Sequence, residues 1–89
     1  MLELVKYALR ITTDVYDPEL NVLIEACKED LGFGDVVRID TLDPIIQRAI
    51  ITYCRMNFGS PSDYDRLKAS YDEQKAQLGM ASGYTNYEE

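Results

Sequence analysis

Residues 43–58 read DPIIQRAIITYCRMNF. Ile46, Ala49, Ile50 and Tyr53 recur at helical spacing on one side, and Ile51, Cys54 and Phe58 on another. A helix that is apolar around most of its circumference must be covered by neighbours on several sides, so this segment is predicted to be the buried centre of an all-helical domain. Asp43-Pro44 marks its start. A carboxylate there caps free amides, and a proline at the first helical position lacks only an N–H that has no helical partner. Arg48, Arg55 and Asn57 fill the remaining positions, and Gly59-Ser60-Pro61 stops the helix.

The same grammar runs outward in both directions. Upstream, Asp17-Pro18-Glu19 repeats the opening, with Asp17 as the expected cap. Leu20, Leu23, Ile24, Cys27 and Leu31 then follow the i, i+3, i+4, i+7 rhythm up to Gly32 and Gly34. Residues 2–11, LELVKYALRI, form a short apolar helix that Thr12, Thr13 and Asp14 break. Downstream, Ser62 with Asp65 resembles a capping box for a fourth helix. Tyr64, Leu67, Tyr71 and Leu78 make its apolar stripe, and Gly79 is placed to end it. Asp63–Arg66, Asp65–Lys68 and Asp72–Lys75 are expected i,i+3 charge pairs. Residues 32–42, GFGDVVRIDTL, lose helical period and read as an irregular loop with room for a short strand. The expectation is an all-α, four-helix domain over residues 1–79 and a flexible tail over residues 80–89.

The chain has 89 residues, enough for one domain with a thin core. Sixteen acidic residues against nine basic ones leave a net charge of -7. That balance opposes gripping a phosphate backbone, which depends on Lys and Arg releasing counterions, and it opposes an anionic membrane surface. No signal peptide or transmembrane stretch is legible, and an intracellular, reducing setting is the expectation.

Little in the chain suits chemistry. There is no histidine, which removes the commonest general base and a common metal ligand. Phosphate-loop, dinucleotide and nucleophile-elbow motifs are absent. Cys27 and Cys54 fall on apolar helical faces and read as free core residues. The alternatives are a disulfide between their helices or a reactive thiol, and the latter would need a base that no histidine supplies. Asp63, Asp65, Asp72 and Glu73, and Asp30, Asp35, Asp40 and Asp43 around the loop, lack calcium-loop spacing and read as solvated faces and caps. Lys6 and Arg10 share a face, as do Arg48 and Arg55, without forming a basic stripe with interleaved aromatics. No enzyme activity, metal or cofactor is therefore expected. Seven tyrosines stand against two phenylalanines. Tyrosine suits sites that are apolar on one side and wet on the other, so Tyr53, Tyr64 and Tyr71 are expected to seal the core, and Tyr84 and Tyr87 to anchor a partner.

The runs ALRITTDVYDPELNVLIEACKEDLGFGDV (residues 8–36) and DPIIQRAIITYCRMNFGSPSDYDRLKASYDEQKAQL (residues 43–78), the main parts of a similarity that extends over residues 4–78, resemble in order and spacing the head–tail connector (head-completion, DNA-packaging) proteins of long-tailed phages and prophages. The resemblance implies a homo-oligomeric ring matched to the portal's symmetry, set beneath the portal protein and joined on its other side to a tail-side head-completion protein. It implies a virion component at the head–tail junction, assembled in the bacterial host cytoplasm, with DNA passing through without specific binding and no membrane contact. Under that reading Asp35, Arg38, Asp40 and Asp43 are candidates to face the channel, and Met80, Tyr84 and Tyr87 to meet the portal or another partner. The competing reading is an acidic helical interaction module, a regulator or an inhibitor that mimics DNA charge.

Overall fold

A computed structural model describes residues 1–33, 42–59 and 61–80. Its elements are α1 (Leu2–Leu9), α2 (Asp17–Phe33), α3 (Pro44–Asn57) and α4 (Tyr64–Met80), with no strand among the described residues. The short strand considered for residues 32–42 falls largely outside them.

Helix α3 packs against all three other helices, the place expected of a segment apolar on several sides. Ile46, Ala49, Ile50, Cys54 and Met56 are buried on it. They meet Leu20, Ile24, Cys27 and Leu31 from α2, Leu67, Tyr71 and Leu78 from α4, and Val5 from α1 in one core. Asp43 caps α3 as its position predicts, with its carboxylate accepting the Ile45 N–H at 2.8 Å and Pro44 beginning the first turn. At the other end Gly59 takes φ 71°, a left-handed conformation that costs glycine least.

Several boundaries and local pairings differ from the sequence reading. Helix α1 stops at Leu9 because Arg10 turns into the left-handed region (φ 61°), and its N–H and that of Ile11 fold back onto the carbonyls of Tyr7 and Lys6. Residues 10 and 11 thus form the closing turn. Asp17 does not cap α2. The Tyr16 carbonyl already accepts the Leu20 N–H, so Asp17 is inside the first turn and its carboxylate turns toward Lys6. Helix α4 begins at Tyr64, and the Asp63 carbonyl accepts the first helical bond, from Leu67, so the cap position is Asp63 and the Ser62–Asp65 box is off by one. Gly79 does not end α4, which continues to Met80. Of the three charge pairs, Asp63–Arg66 forms at 2.5 Å. Lys68 instead reaches one turn on to Asp72 (3.0 Å), and Lys75 leaves its own helix for Asp30 on α2 (3.2 Å).

Candidate functional site

Three polar fastenings hold the bundle and fix which surfaces remain outside. The first is Lys6, which shares its helical face with Arg10 in sequence but is 7% exposed in the fold. Its ammonium lies 2.6 Å from Asp14 and 3.0 Å from Asp17, clasping α1 to the entry of α2. The Asp14 contact is an aligned hydrogen bond, whereas the Asp17 oxygen is close in charge but off line for one. The two carboxylates, Asp14 first, push the Lys6 ammonium up to about 12, and the ammonium holds the Asp14 carboxyl below the usual range.

The second fastening joins α2 to α4. The Tyr71 hydroxyl donates to Asp30 at 2.7 Å, Lys75 donates to the same oxygen, and the Cys27 sulfur lies 3.7 Å from the hydroxyl. The Tyr53 ring meets Tyr71 edge-on at 5.3 Å. Tyr71 is thus a buried core aromatic with a satisfied polar end, which explains tyrosine in place of phenylalanine. Burial drives its phenol well above its usual value, and the Asp30 carboxylate adds to this. Replacing Tyr71 with phenylalanine keeps the ring and deletes the bond to a charged acceptor, at an expected cost of about 1.5–3 kcal/mol in urea unfolding. A variant as stable as the native chain would show that this bond contributes nothing net.

In the third, Arg55 extends from α3 to donate to the Ala8 carbonyl at 3.0 Å, satisfying one of the free acceptors at the end of α1. Arg55 also lines an open groove of about 340 Å³ between α3 and α4, together with Arg48, Ile51, Asp63, Arg66 and Leu67. Gln74 borders the groove too, and its side-chain oxygen is buried without a hydrogen-bond partner among the described residues. Arg66 is balanced by Asp63, whereas Arg48 and Arg55 have no carboxylate within ion-pair distance among the described residues. In a chain of net charge -7 this is a concentration of guanidinium groups. Guanidinium stays protonated and donates hydrogen bonds only, so the groove suits binding a carboxylate better than moving a proton. The sequence placed Arg48 and Arg55 on one face; Arg66 joins them only through the packing of α4.

The residues singled out in sequence divide sharply. Asp43 is engaged as the α3 cap, and Met80 is 79% exposed at the end of α4. Asp35, Arg38, Asp40, Tyr84 and Tyr87 lie outside the described residues. Cys27 and Cys54 are free and buried on facing helices, where loss of solvent pushes each thiol up to about 12. Tyr53 and Tyr71 seal the core as expected, while Tyr64 is 41% exposed. Among the described residues no cluster of three His, Cys, Asp or Glu side chains converges in a way that could hold a metal ion, and no helix is long and apolar enough to cross a membrane. Tyr7, Val15, Val22, Leu42 and Ile45 leave apolar surface at the ends and outer side of the bundle.

The fold is that of a small all-α domain whose distinctive surface features are an arginine-lined groove and scattered exposed apolar side chains. The model of the phage connector protein family matches residues 1–85, all four helices included, and the chain belongs to that family. No curated protein and no solved structure matches the chain.

Proposed function

We propose that the chain is a structural subunit of the head–tail junction, several copies of which close into a ring below the portal, extend the DNA channel and receive the tail-side head-completion protein. The observation that carries this is the family match over residues 1–85, which spans the whole helical domain as one unit. The physical character of the chain agrees with it. A thin core gains stability when further surface is covered by partners that bind the folded form. The -7 charge gives a repeated subunit a surface that repels duplex phosphates, so DNA passes without being held. The role is one of assembly, without catalysis, in a particle put together in the host cytoplasm. The segment after Gly79, beginning with exposed Met80, is the portal-docking element in this reading.

Mixing the purified chain with its cognate portal is the direct test. Electron microscopy and sedimentation are expected to show a collar of many copies on the portal, lost when the chain is truncated after Gly79. A portal that gains no mass from the full chain would refute the ring, and a truncated chain that docks normally would remove the tail from the contact. Duplex DNA retained by the collar at physiological salt would refute free passage.

A further inference from the structure

We propose that the arginine groove between α3 and α4 is the receiving half of a head-to-tail contact, and that its occupant is the outer face of α2 from a second copy of this chain. This inference rests on the ring reading and names the surfaces that would build it.

The argument begins with where the two faces point. On α2, Leu20, Ile24, Cys27 and Leu31 are buried, and Glu19, Val22, Glu25 and Glu29 lie on the opposite, exposed side. On α3, Ile46, Ala49 and Ile50 are buried, and the exposed Arg48 and Arg55 lie on the side turned away from them, with the partly buried Ile51 lining the groove between them. Because α2 and α3 pack through their buried sides, these two outer faces look in opposite directions across one subunit. Two different, oppositely directed patches that fit each other give a heterologous contact, which repeats from copy to copy and closes when its rotation permits.

The chemistry of the two faces is matched in sign and spacing. Arg48 and Arg55 are two turns apart on α3, about 10 Å at 1.5 Å per residue, with Ile51 between them. Glu19 and Glu25 are separated by about 9 Å of rise along α2 and flank Val22 on its two sides around the helix. Val22 is 67% exposed, an apolar side chain between two carboxylates set against an apolar one between two guanidiniums. Arg48 and Arg55 lack a carboxylate partner within the subunit, and Glu19 and Glu29 lack a cation, among the described residues. Among the described residues Glu25 is held only by an exposed i,i+3 pair with Lys28, the kind of pair that exchanges at little cost. Arginine is the cation suited to such a seat, since its planar fork binds carboxylates two-pronged and is weakly hydrated. Duplex DNA is the competing occupant for guanidinium groups. The surrounding surface disfavours it, because Asp63 sits within the groove and the chain as a whole is acidic.

Complementary charge reversal tests the assignment. The receiver variant is Arg48→Glu with Arg55→Glu, and the donor variant is Glu19→Lys with Glu25→Lys. Since Arg55 also holds the end of α1, circular dichroism checks that the receiver variant folds, and Arg48→Glu alone serves as a second receiver variant. Sedimentation up to millimolar protein is expected to show the native chain associating in a salt-sensitive way, and each variant associating on the order of 100-fold more weakly. An equimolar mixture of receiver and donor variants is expected to recover association beyond the dimer, because native contacts between the donor's groove and the receiver's α2 face alternate with charge-swapped contacts between the two reversed faces. Variants that associate like the native chain, a mixture that stays monomeric, or a native chain that is monomeric at millimolar concentration would each overturn the proposal. So would labelled duplex DNA bound by the native chain and released by Arg48→Glu. The portal assay separates the two levels: if the native chain and both variants all form the collar, the groove assignment falls and the ring stands; if no chain forms it, the ring itself falls.

Discussion

Replacing Ile50 with alanine is expected to lower the free energy of unfolding by about 2–5 kcal/mol, measured by urea denaturation followed by circular dichroism. Ile50 has no exposed surface, and it sits on the helix that touches all three others. Removing three carbon atoms there forfeits their transfer from water and leaves a void in a core to which all four helices contribute. Collapse around such a void is opposed because the helices are also pinned to one another: α1 by Lys6, α2 and α4 by the Asp30 clasp. The cost should therefore fall in the upper part of that range. Set against a total of about 5–15 kcal/mol for a domain of this kind, it leaves a chain that is marginal at best. Val22→Ala, on the exposed side of α2, is the control and should stay within about 0.5 kcal/mol of native. An Ile50→Ala protein with the native midpoint would mean that α3 is not the centre of the core.

What made α3 legible in advance was redundancy. Asp43-Pro44 announced its start, Gly59 its end, and apolar residues on several sides its burial, and each is a local signal that the packing had no reason to override. The buried state of Cys27 and Cys54 followed from the same periodicity. The misread features have a common origin, since they depend on partners beyond one helical turn. Lys75 was expected to pair three residues back with Asp72, but Asp30, 45 residues away, offers a carboxylate already fixed by Tyr71, and an organised acceptor wins over a mobile one. Asp17 looked like a cap by position, yet the approach of α1 presents it with a buried ammonium, and a charge out of water outweighs a free amide. Lys6 gave no sign of burial because the alternation that hides it belongs to α1 folding back on α2. The groove was half visible, as Arg48 and Arg55 one above the other, and Arg66 completes it from a helix whose placement no spacing rule reports.

Raising the pH from 9 toward 12 is expected to unfold the chain, by an unusually steep loss of stability for a protein of this size. The cause is a set of buried or paired groups that all bind their protons more tightly when folded. The thiols of Cys27 and Cys54 rise from 9.0 to about 12 through burial, Tyr71 rises through burial and its Asp30 neighbour, and Lys6 rises from 10.5 to about 12 through Asp14 and Asp17. For each, the folded state holds more protons than the unfolded one between the two values, so unfolding free energy falls with pH across that interval. Below pH 9 the thiol contributions are fully present. They decline from about pH 9 upward, joined near 10 by Tyr71 and above 10.5 by the Lys6 clasp, whose contribution is lost as pH passes 12. Each tenfold difference in proton affinity is about 1.4 kcal/mol, so even two thiols protected by a few pH units rival the whole stability of the domain. The chain should lose its helical circular dichroism before pH 12, reversibly if reductant is present. Cys27→Ala with Cys54→Ala will lower the starting stability through the space it leaves, and for that reason the diagnostic quantity is the slope. Plotted from pH 9 to 10, unfolding free energy should fall steeply in the native chain and several-fold less in the double variant, where only the tyrosines begin to contribute. Equal slopes would show that the sulfurs are open to solvent, and that the centre of the helical core is less dry than its packing demands.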